Sequence, residues 1–441
     1  MNATIKQLEK EKIALMGLGS ENYSLLVFLR RLGCKPNITI HDARSAATIG
    51  DRYEKLKKNK NIEWRLGDMS GNDLKDFSLI LRSPGAFFSP DLRRSLAIAG
   101  TRVLSPMQLF LDLCPSKNII GVTGTKGKGT TASLIAAILK AGGKKTWLGG
   151  NIGIAPFDFI SKIQKKDWVV LELSSFQLED MSSSPRIAVF TNFSPEHLVS
   201  ADAQNPNHHV TLTAYWNAKL NIARFQNKAG QLIANRSLAT RLGREKLSGK
   251  IIYFDRSALP SRLPGEHNKE NIAAAQIAAR AAGISAAATA RAVASFKGLH
   301  YRLEQVGQHN RITFYNDSFA TTPASTITAL ASFPEPVILI AGGADKGSDF
   351  TALAQHIKRR TAAVILFKGK GSDKIRRELR RLSYPSELLR EAGSMAEAVE
   401  LARLFAVPGD IILMSPACAS FGLFKNYKDR GEQFNRFAGK K

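Results

Sequence analysis

A run of small residues around two lysines, Gly124-Thr125-Lys126-Gly127-Lys128-Gly129-Thr130-Thr131, is the first place where residue type and spacing add up to chemistry. Small residues let backbone N–H groups come close to phosphate oxygens, and a helix opening at the end of such a loop adds the positive end of its dipole. In this pattern Lys128 reaches the β- and γ-phosphates, and a hydroxyl just after it ligates Mg²⁺. Gly129 stands at the usual hydroxyl position, so that role passes to Thr130 or Thr131. Phosphoryl chemistry also needs hard oxygen ligands for magnesium, and Glu172 lies in the apolar run 168–173, at the carboxyl end of an expected strand. The next apolar run, 187–191, is followed by Asn192 and then by His197 beside Glu196. A lone histidine is ordinarily a surface or core residue; the convergence of consecutive strand ends makes this one a candidate ligand.

The elements that must position these residues follow from the apolar pattern. Residues 118–122 read as a buried strand running into the glycine-rich loop, and residues 132–141 as the helix after it. Further upstream, residues 12–15 lead into Gly17-Leu18-Gly19, a helix-like stretch 23–32 and an extended segment 38–40 that ends at Asp42. This β-turn-α-β order has the glycine spacing of a dinucleotide-binding turn with an acid about 20 residues on, although Asn22 takes the place of the third glycine. An Ala-rich helix is expected over 271–282, and further strands at 77–81, 312–315, 337–341, 363–367 and 411–414. Strands alternating with helices imply an α/β fold of three domains. These are an N-terminal Rossmann-like domain over 1–115, a central P-loop domain with a parallel sheet over 116–298, and a C-terminal Rossmann-like domain over 299–441.

Composition agrees with a globular chain of that size. The 441 residues are 44% hydrophobic and 8% aromatic, which excludes disorder and collagen-like repeats. No run approaches the roughly 20 apolar residues of a membrane span, and the mixed charges of residues 1–12 do not make a signal peptide. Cys34, Cys114 and Cys418 are too few and too scattered for a disulfide framework. A cytoplasmic protein without membrane insertion is expected. The net charge of +26 leaves open nucleic-acid binding or the gathering of anionic small molecules. The most basic stretch, 358–381, holds ten Lys or Arg against Asp373 and Glu378, and its single aromatic, Phe367, ends an apolar run, so it reads as a solvated helix face.

Longer motifs then make a resemblance specific. Gly149-Gly150-Asn151-Ile152-Gly153, Leu171-Glu172-Leu173-Ser174-Ser175-Phe176-Gln177-Leu178-Glu179, Gly265-Glu266-His267-Asn268, Asn316-Asp317-Ser318 and Ser415-Pro416-Ala417-Cys418 follow one another through the expected central and C-terminal domains. In this order they resemble the Mur ligases, and most closely the branch that adds glutamate to a UDP-linked muramoyl peptide. The resemblance implies an ATP-dependent amide ligase of peptidoglycan precursor synthesis. It phosphorylates the carboxylate of UDP-N-acetylmuramoyl-L-alanine to an acyl phosphate, which the amine of D-glutamate attacks. It implies ATP and two Mg²⁺ ions, no nucleic-acid partner, and a monomer.

Carried over to this chain, the resemblance implies that Gly124, Thr125, Lys126, Gly127, Lys128, Gly129 and Thr130 hold the triphosphate, with Asn268, Asn271, Arg302 and Asp317 as further nucleotide contacts. Thr130 and Glu172 would serve the first metal and His197 the second, with Lys219 joining them as a carbamate, since an ammonium has donors only. Gly19, Ser20, Asp42, Arg44, Asn151, Ser174 and Gln177 would take the UDP-substrate; Thr321, Lys346, Ser415, Phe421 and Phe424 would take the amino acid. Phe319 stands where the family carries a lysine, and Lys126 and Gly129 make the phosphate loop similar to that of folylpolyglutamate synthases. A folate-type glutamate ligase and a basic nucleic-acid-binding protein on a ligase scaffold are therefore the rival readings.

Overall fold

The computed structural model describes residues 2–67, 73–199 and 207–439. The chain forms two compact units, residues 1–258 with 270–293, and residues 259–269 with 294–441. The first unit carries two parallel sheets. One is built from β1 (Lys12–Met16), β2 (Asn37–Asp42), β3 (Ile62–Leu66), β4 (Leu79–Arg82) and β5 (Arg102–Leu104), in the order β3-β2-β1-β4-β5. The other comprises β6 (Ile119–Thr123), β7 (Thr146–Gly150), β8 (Trp168–Glu172), β9 (Ile187–Phe190), β10 (Gln231–Asn235) and β11 (Lys250–Phe254), in the order β11-β10-β9-β6-β8-β7. Every residue of β6, β8 and β9 is buried, as a parallel sheet covered on both faces requires of its central strands.

In both sheets the connections leave a central strand in opposite directions. β1 lies between β2 and β4, and β6 lies between β8 and β9. Such switch points open a crevice at the carboxyl ends of the strands, where α/β proteins bind their ligands. The glycine turn after β1 and the glycine-rich loop after β6 both emerge there. Helix Ser20–Arg31 starts three residues earlier than the apolar pattern suggests, with Gly19 as its N-cap. Strands β7, β10 and β11 join the sheet without having stood out in the sequence.

The second unit is a mixed sheet of β12 (Glu304–His309), β13 (Ile312–Asn316), β14 (Val337–Ala341), β15 (Thr361–Phe367), β16 (Leu389–Ala392) and β17 (Ile411–Met414), ordered β12-β13-β17-β14-β15-β16. β12 is antiparallel to β13 and carries a bulge between Gln305 and Gly307. Its sequence, Glu-Gln-Val-Gly-Gln-His, has no apolar run because this edge strand is only partly buried, and the pattern therefore missed it. The basic stretch forms helices Thr351–Arg360 and Lys370–Arg381 on either side of β15. Leu353, Ile357, Ile375 and Leu379 face the core while Arg359, Arg377, Arg380 and Arg381 face solvent. Among the described residues no helix is long and apolar enough to cross a membrane. The three cysteines are buried and free.

Within the first unit one apolar cluster runs through both sheets. Phe157 links them, with its ring centre 5.5 Å from that of Phe28 and 5.7 Å from that of Phe110. Beside this apolar joint lies a charged one. Arg82, at the end of β4 and with its side chain fully buried, places Nε 2.5 Å from Asp180 Oδ2 and Nη2 2.7 Å from Glu179 Oε2. It also donates to the carbonyls of Ala86 and Phe176, and Arg93 meets the same two acids from outside. Removing one partner of a buried ion pair leaves the other charge uncompensated, at about 3–5 kcal/mol. Arg82→Met is expected to lower the thermal unfolding midpoint of the full chain by several degrees. A shift within error of zero would mean that the apolar joint alone holds the two layers.

Candidate active site

The loop after β6 owes its shape to two glycines and one asparagine. A Cβ on Gly124 would collide with Thr191 Oγ1, and one on Gly127, at φ +80°, would collide with Asn271 Oδ1. Asn192, just past β9, straps the loop: its carbonyl accepts from Thr125 N at 2.9 Å and its Oδ1 from Lys126 N at 2.8 Å. Thr191 Oγ1 and Asn192 Nδ2 donate in turn to Lys126 O, at 2.6 and 3.0 Å. Helix Lys128–Ala141 starts directly from Gly127, so its first backbone N–H groups, which have no carbonyl one turn back, point into the loop. Lys128 curls over it, with Nζ 3.0 Å from Thr125 O. Of the two hydroxyls, Thr131 is fully buried and donates to Asn271 Oδ1 at 3.1 Å, whereas Thr130 is half-buried at the loop.

Lys219 reaches this loop from helix Leu212–Arg224. It is 2% exposed, donates to Gly124 O at 2.7 Å, and lies 4.6 Å over the ring of Tyr215. Burial, and then the charge of Lys128, hold its amine well below the usual lysine range, against the opposing pull of Glu196 and Glu172. Glu172 is buried at the end of β8. Glu196 forms a 2.5 Å ion pair with Lys126; although burial pushes its carboxyl up, Lys126 holds it below the ordinary value. His197 sits in a left-handed conformation, φ +59°, with its ring 5.2 Å from Phe176, and burial lowers its basicity. Thus Lys128, Thr130, Glu172, His197 and Lys219 gather around one turn of backbone.

Two residues of this cluster escaped the sequence reading. Tyr215 bonds Thr125 Oγ1 at 3.2 Å from beneath the loop. His209 stacks on Phe176 at 4.7 Å, bonds Ser175 Oγ at 2.9 Å, and its N–H reaches back to His197 O at 2.8 Å. Burial, with His197 and Lys219 adding to it, holds the His209 imidazole neutral with a pKa near about 3. The sequence did carry a signal in the His208-His209 pair, four residues ahead of a helix that begins with an apolar face.

The first sheet contributes a cavity of about 650 Å³ lined by Gly17, Gly19, Ser20, Glu21, Asp42, Arg44 and Ser83 among others, with Asn151 from the second sheet. Asp42 is already engaged: it accepts from Leu18 N at 2.7 Å and from the Arg44 guanidinium at 2.9 and 2.7 Å. Burial alone would raise its carboxyl, yet these bonds hold it below the ordinary value, so it fixes the turn as an anion. Asn22 explains the missing third glycine. Its Nδ2 donates to Gly17 O at 2.8 Å and Leu81 O at 3.3 Å, tying helix to turn where a glycine would let them pack closer. Ser174 and Gln177 form a capping box at the start of helix Ser175–Leu178, and Asn151 N donates to Glu172 O at 2.9 Å. The cavity residue Asn151 thus meets the end of β8 within one compact unit.

The second unit brings together another set. Asp317 is buried after β13 and accepts from Leu303 N at 3.2 Å and Ser415 Oγ at 2.8 Å; burial pushes its carboxyl up to about 7. Thr321 lies on the same turn, its N–H donating to Phe319 O at 2.9 Å. Arg302 stacks over Phe319 with its guanidinium carbon 3.7 Å from the ring centre. Lys346 lies 5.8 Å from the ring of Phe421, which is 62% exposed. Phe424 packs against Phe367, with ring centres 5.2 Å apart, at the edge of the core of the sheet. Asn268 and Asn271 share helix Glu266–Ala281, Asn268 donating to Pro264 O at 2.7 Å.

The donors at the phosphate loop set a limit on metal binding. Among the described residues no group of three or more His, Cys, Asp or Glu is placed to hold a metal ion. Thr130 and the buried Glu172 offer hard oxygen donors of the kind Mg²⁺ ordinarily takes, beside phosphate oxygens and water. Lys219 fits a cation only when converted to an oxygen donor.

Residues 122–258 match the Mur ligase middle domain and residues 301–418 the Mur ligase glutamate ligase domain. The chain is 36% identical to the UDP-N-acetylmuramoylalanine--D-glutamate ligase of Acetivibrio thermocellus, over 98% of this chain and 97% of that one. It is 37% identical to the ligase of the same name from Symbiobacterium thermophilum, over 96% and 97%. Among solved structures it resembles the MurF ligase from Thermotoga maritima in complex with ADP, with a TM-score of 0.57 at 14% identity, covering 91% of this chain and 94% of that one. The conformational demand at Gly127 is directly testable. Gly127→Ala is expected to cost about 1–3 kcal/mol of stability through strain and displacement of Asn271, and Asn271→Ala in the same chain should recover part of it. Strict additivity of the two changes in a denaturation cycle would contradict the contact.

Proposed function

The chain belongs to the Mur ligase family, and from that premise we propose that it joins D-glutamate to UDP-N-acetylmuramoyl-L-alanine with cleavage of ATP, a step of peptidoglycan precursor synthesis. The observation that carries this reading is the meeting, in one compact unit, of a phosphate loop and a 650 Å³ cavity. Both lie at the carboxyl ends of parallel strands, and Gln177 and Asn151 stand between them. On this reading residues 1–115 take the UDP-substrate, residues 116–298 take ATP, and residues 299–441 supply the amino-acid side. The enzyme works in the cytoplasm as a monomer, without membrane insertion.

In the first half-reaction a carboxylate oxygen of the substrate attacks the γ-phosphorus and the bond to ADP breaks. In the second the amine of glutamate attacks the acyl carbon, phosphate departs with its bonding electrons, and the nitrogen gives up its extra proton. The chain's work is positioning and charge neutralisation. The backbone of residues 124–130 cradles the phosphates, Lys128 follows the charge on the transferring group, and Asn271 braces the loop from behind. Magnesium, held through Thr130 and Glu172 and at a second position through His197, supplies further neutralisation when bound. Burial favours the neutral Lys219 amine, whose lone pair adds to the carbon of CO₂ and, on losing a proton, forms a carbamate with two oxygen donors. Asn268, Arg302 and Asp317 complete the nucleotide contacts, and Thr321, Lys346, Ser415 and Phe421 hold the glutamate.

Three measurements test this reading. Lys128→Ala should reduce phosphate release in the presence of UDP-N-acetylmuramoyl-L-alanine and D-glutamate by about 10³-fold or more while circular dichroism is unchanged; normal turnover would reject the loop as the phosphate site. Lys219→Ala should lose activity and regain part of it with added short carboxylates, and failure of both effects would count against the carbamate. With the unaltered chain, D-glutamate should support phosphate release at least about tenfold better than L-glutamate at equal concentration, which equal rates would refute.

A further inference from the structure

Glu21 lies on the wall of the first-sheet cavity, at the second position of helix Ser20–Arg31, and is 7% exposed. Its Oε1 receives a hydrogen bond from Gln177 Nε2, and Gln177 is itself held, because its Oε1 accepts from Ser174 N at 2.7 Å. The second carboxyl oxygen, Oε2, is buried with no hydrogen-bond partner. Burial is what raises this carboxyl, to a pKa of about 7, and the Gln177 bond opposes that only in part.

The charged and titratable neighbours are otherwise engaged. Asp42 is bonded to Arg44 and Leu18, and Asp158 receives the hydroxyl of Ser24 on the same helix. Arg82 is bound to Glu179 and Asp180, and Asp112, on helix Pro106–Leu113, takes the amide of Gln108. His209 bonds Ser175 at the start of the helix that carries Gln177, and His41 packs against Phe77. His208 stacks on the cavity residue Phe87 at 4.7 Å.

An ionised carboxylate at a helix N-terminus is at ease until a second anion arrives at the same N-terminus. Two like charges in a buried pocket then force one to take up a proton. The ligand proposed for this cavity is such an anion, a nucleoside diphosphate ester that holds no group titrating near neutrality. We infer that Glu21 is a proton-linked residue of this cavity wall, which takes up a proton when the diphosphate-bearing ligand brings a second anion beside its buried carboxylate, so that binding of the UDP-substrate takes up one proton at alkaline pH. The inference rests on the reading of this cavity as the UDP-substrate site. The O–H of Glu21 is formed with a solvent proton, and no covalent bond of the ligand changes.

The test is calorimetric binding of UDP-N-acetylmuramoyl-L-alanine to the full chain in two buffers of different ionisation enthalpy, from about pH 6.5 to 8.5. The expected result is uptake approaching one proton per ligand at the upper end and a loss of affinity on the order of 20-fold across the range, the factor that follows from a group with a pKa of about 7. E21Q, which keeps a permanent N–H donor, should flatten both, while His208→Gln should leave the proton uptake in place. Binding that takes up no proton and does not vary with pH overturns the role of Glu21 alone. Proton uptake that survives E21Q and disappears with His208→Gln assigns it to the histidine and overturns it as well. Absence of binding at every pH overturns the reading of the cavity, and this inference with it.

Discussion

Three lysines converge on one turn of backbone, and their mutual repulsion is the condition under which the rest of the site is arranged. Lys126, Lys128 and Lys219 all face the loop after β6, and each is relieved in a different way. Lys126 pairs with Glu196 at the rim, and Lys128 places its ammonium on the Thr125 carbonyl, half in solvent. Lys219, the deepest, has its charged form disfavoured by burial before any neighbour is counted. A loop crowded with positive charge and lined by helix N–H groups is unstable without anions and well prepared for them. The same repulsion that weakens the resting site favours the triphosphate when it comes.

This arrangement depends on two layers being held in register. Glu172 belongs to the second sheet and the cavity to the first, so the distance between the two chemistries is set by the joint at Arg82, Glu179 and Asp180 and by the Phe28–Phe157–Phe110 contacts beside it. Helix Ser175–Leu178 is where the three meet. Ser174 and Gln177 cap it, Phe176 gives its carbonyl to Arg82 and its ring to His209, and Ser175 takes the same histidine. A single turn of helix cannot hold itself together through its own hydrogen bonds. It is stable here because every side chain on it is tied to a different part of the surrounding unit.

The sequence disclosed the strands with continuous apolar runs and the residues whose identity alone constrains the backbone. β1, β6, β8, β9, β14 and β15 are buried on both faces and could be read directly, as could the glycine-rich loop. β12 could not, since its residues are polar and its stability comes from pairing with β13. Asn22 looked like a defect in a glycine fingerprint; its two bonds to main-chain carbonyls show a different solution to the same packing problem. His209 and Tyr215 stayed hidden because their roles arise from stacking and buried hydroxyl contacts between elements far apart in the chain. Phe424 shows that a motif residue also packs: its ring lies against Phe367 and joins the apolar cluster of the sheet.

The exchange of a lysine for Phe319 is best understood through Arg302. Phe319 is 41% exposed, with the Arg302 guanidinium 3.7 Å over one face and the ring of Tyr427 edge-on at 5.1 Å. A lysine in that place would stand beside Arg302 as a second cation and repel it. The aromatic ring attracts it instead, by on the order of 1 kcal/mol for a partly exposed pair. The site has thus lost one mobile ammonium and gained one oriented guanidinium. Because that group is planar and binds through two parallel N–H bonds, it favours a carboxylate or phosphate approaching in its own plane over one arriving from other directions. Charge at this position has been traded for direction, because the ring holds the Arg302 guanidinium against one face.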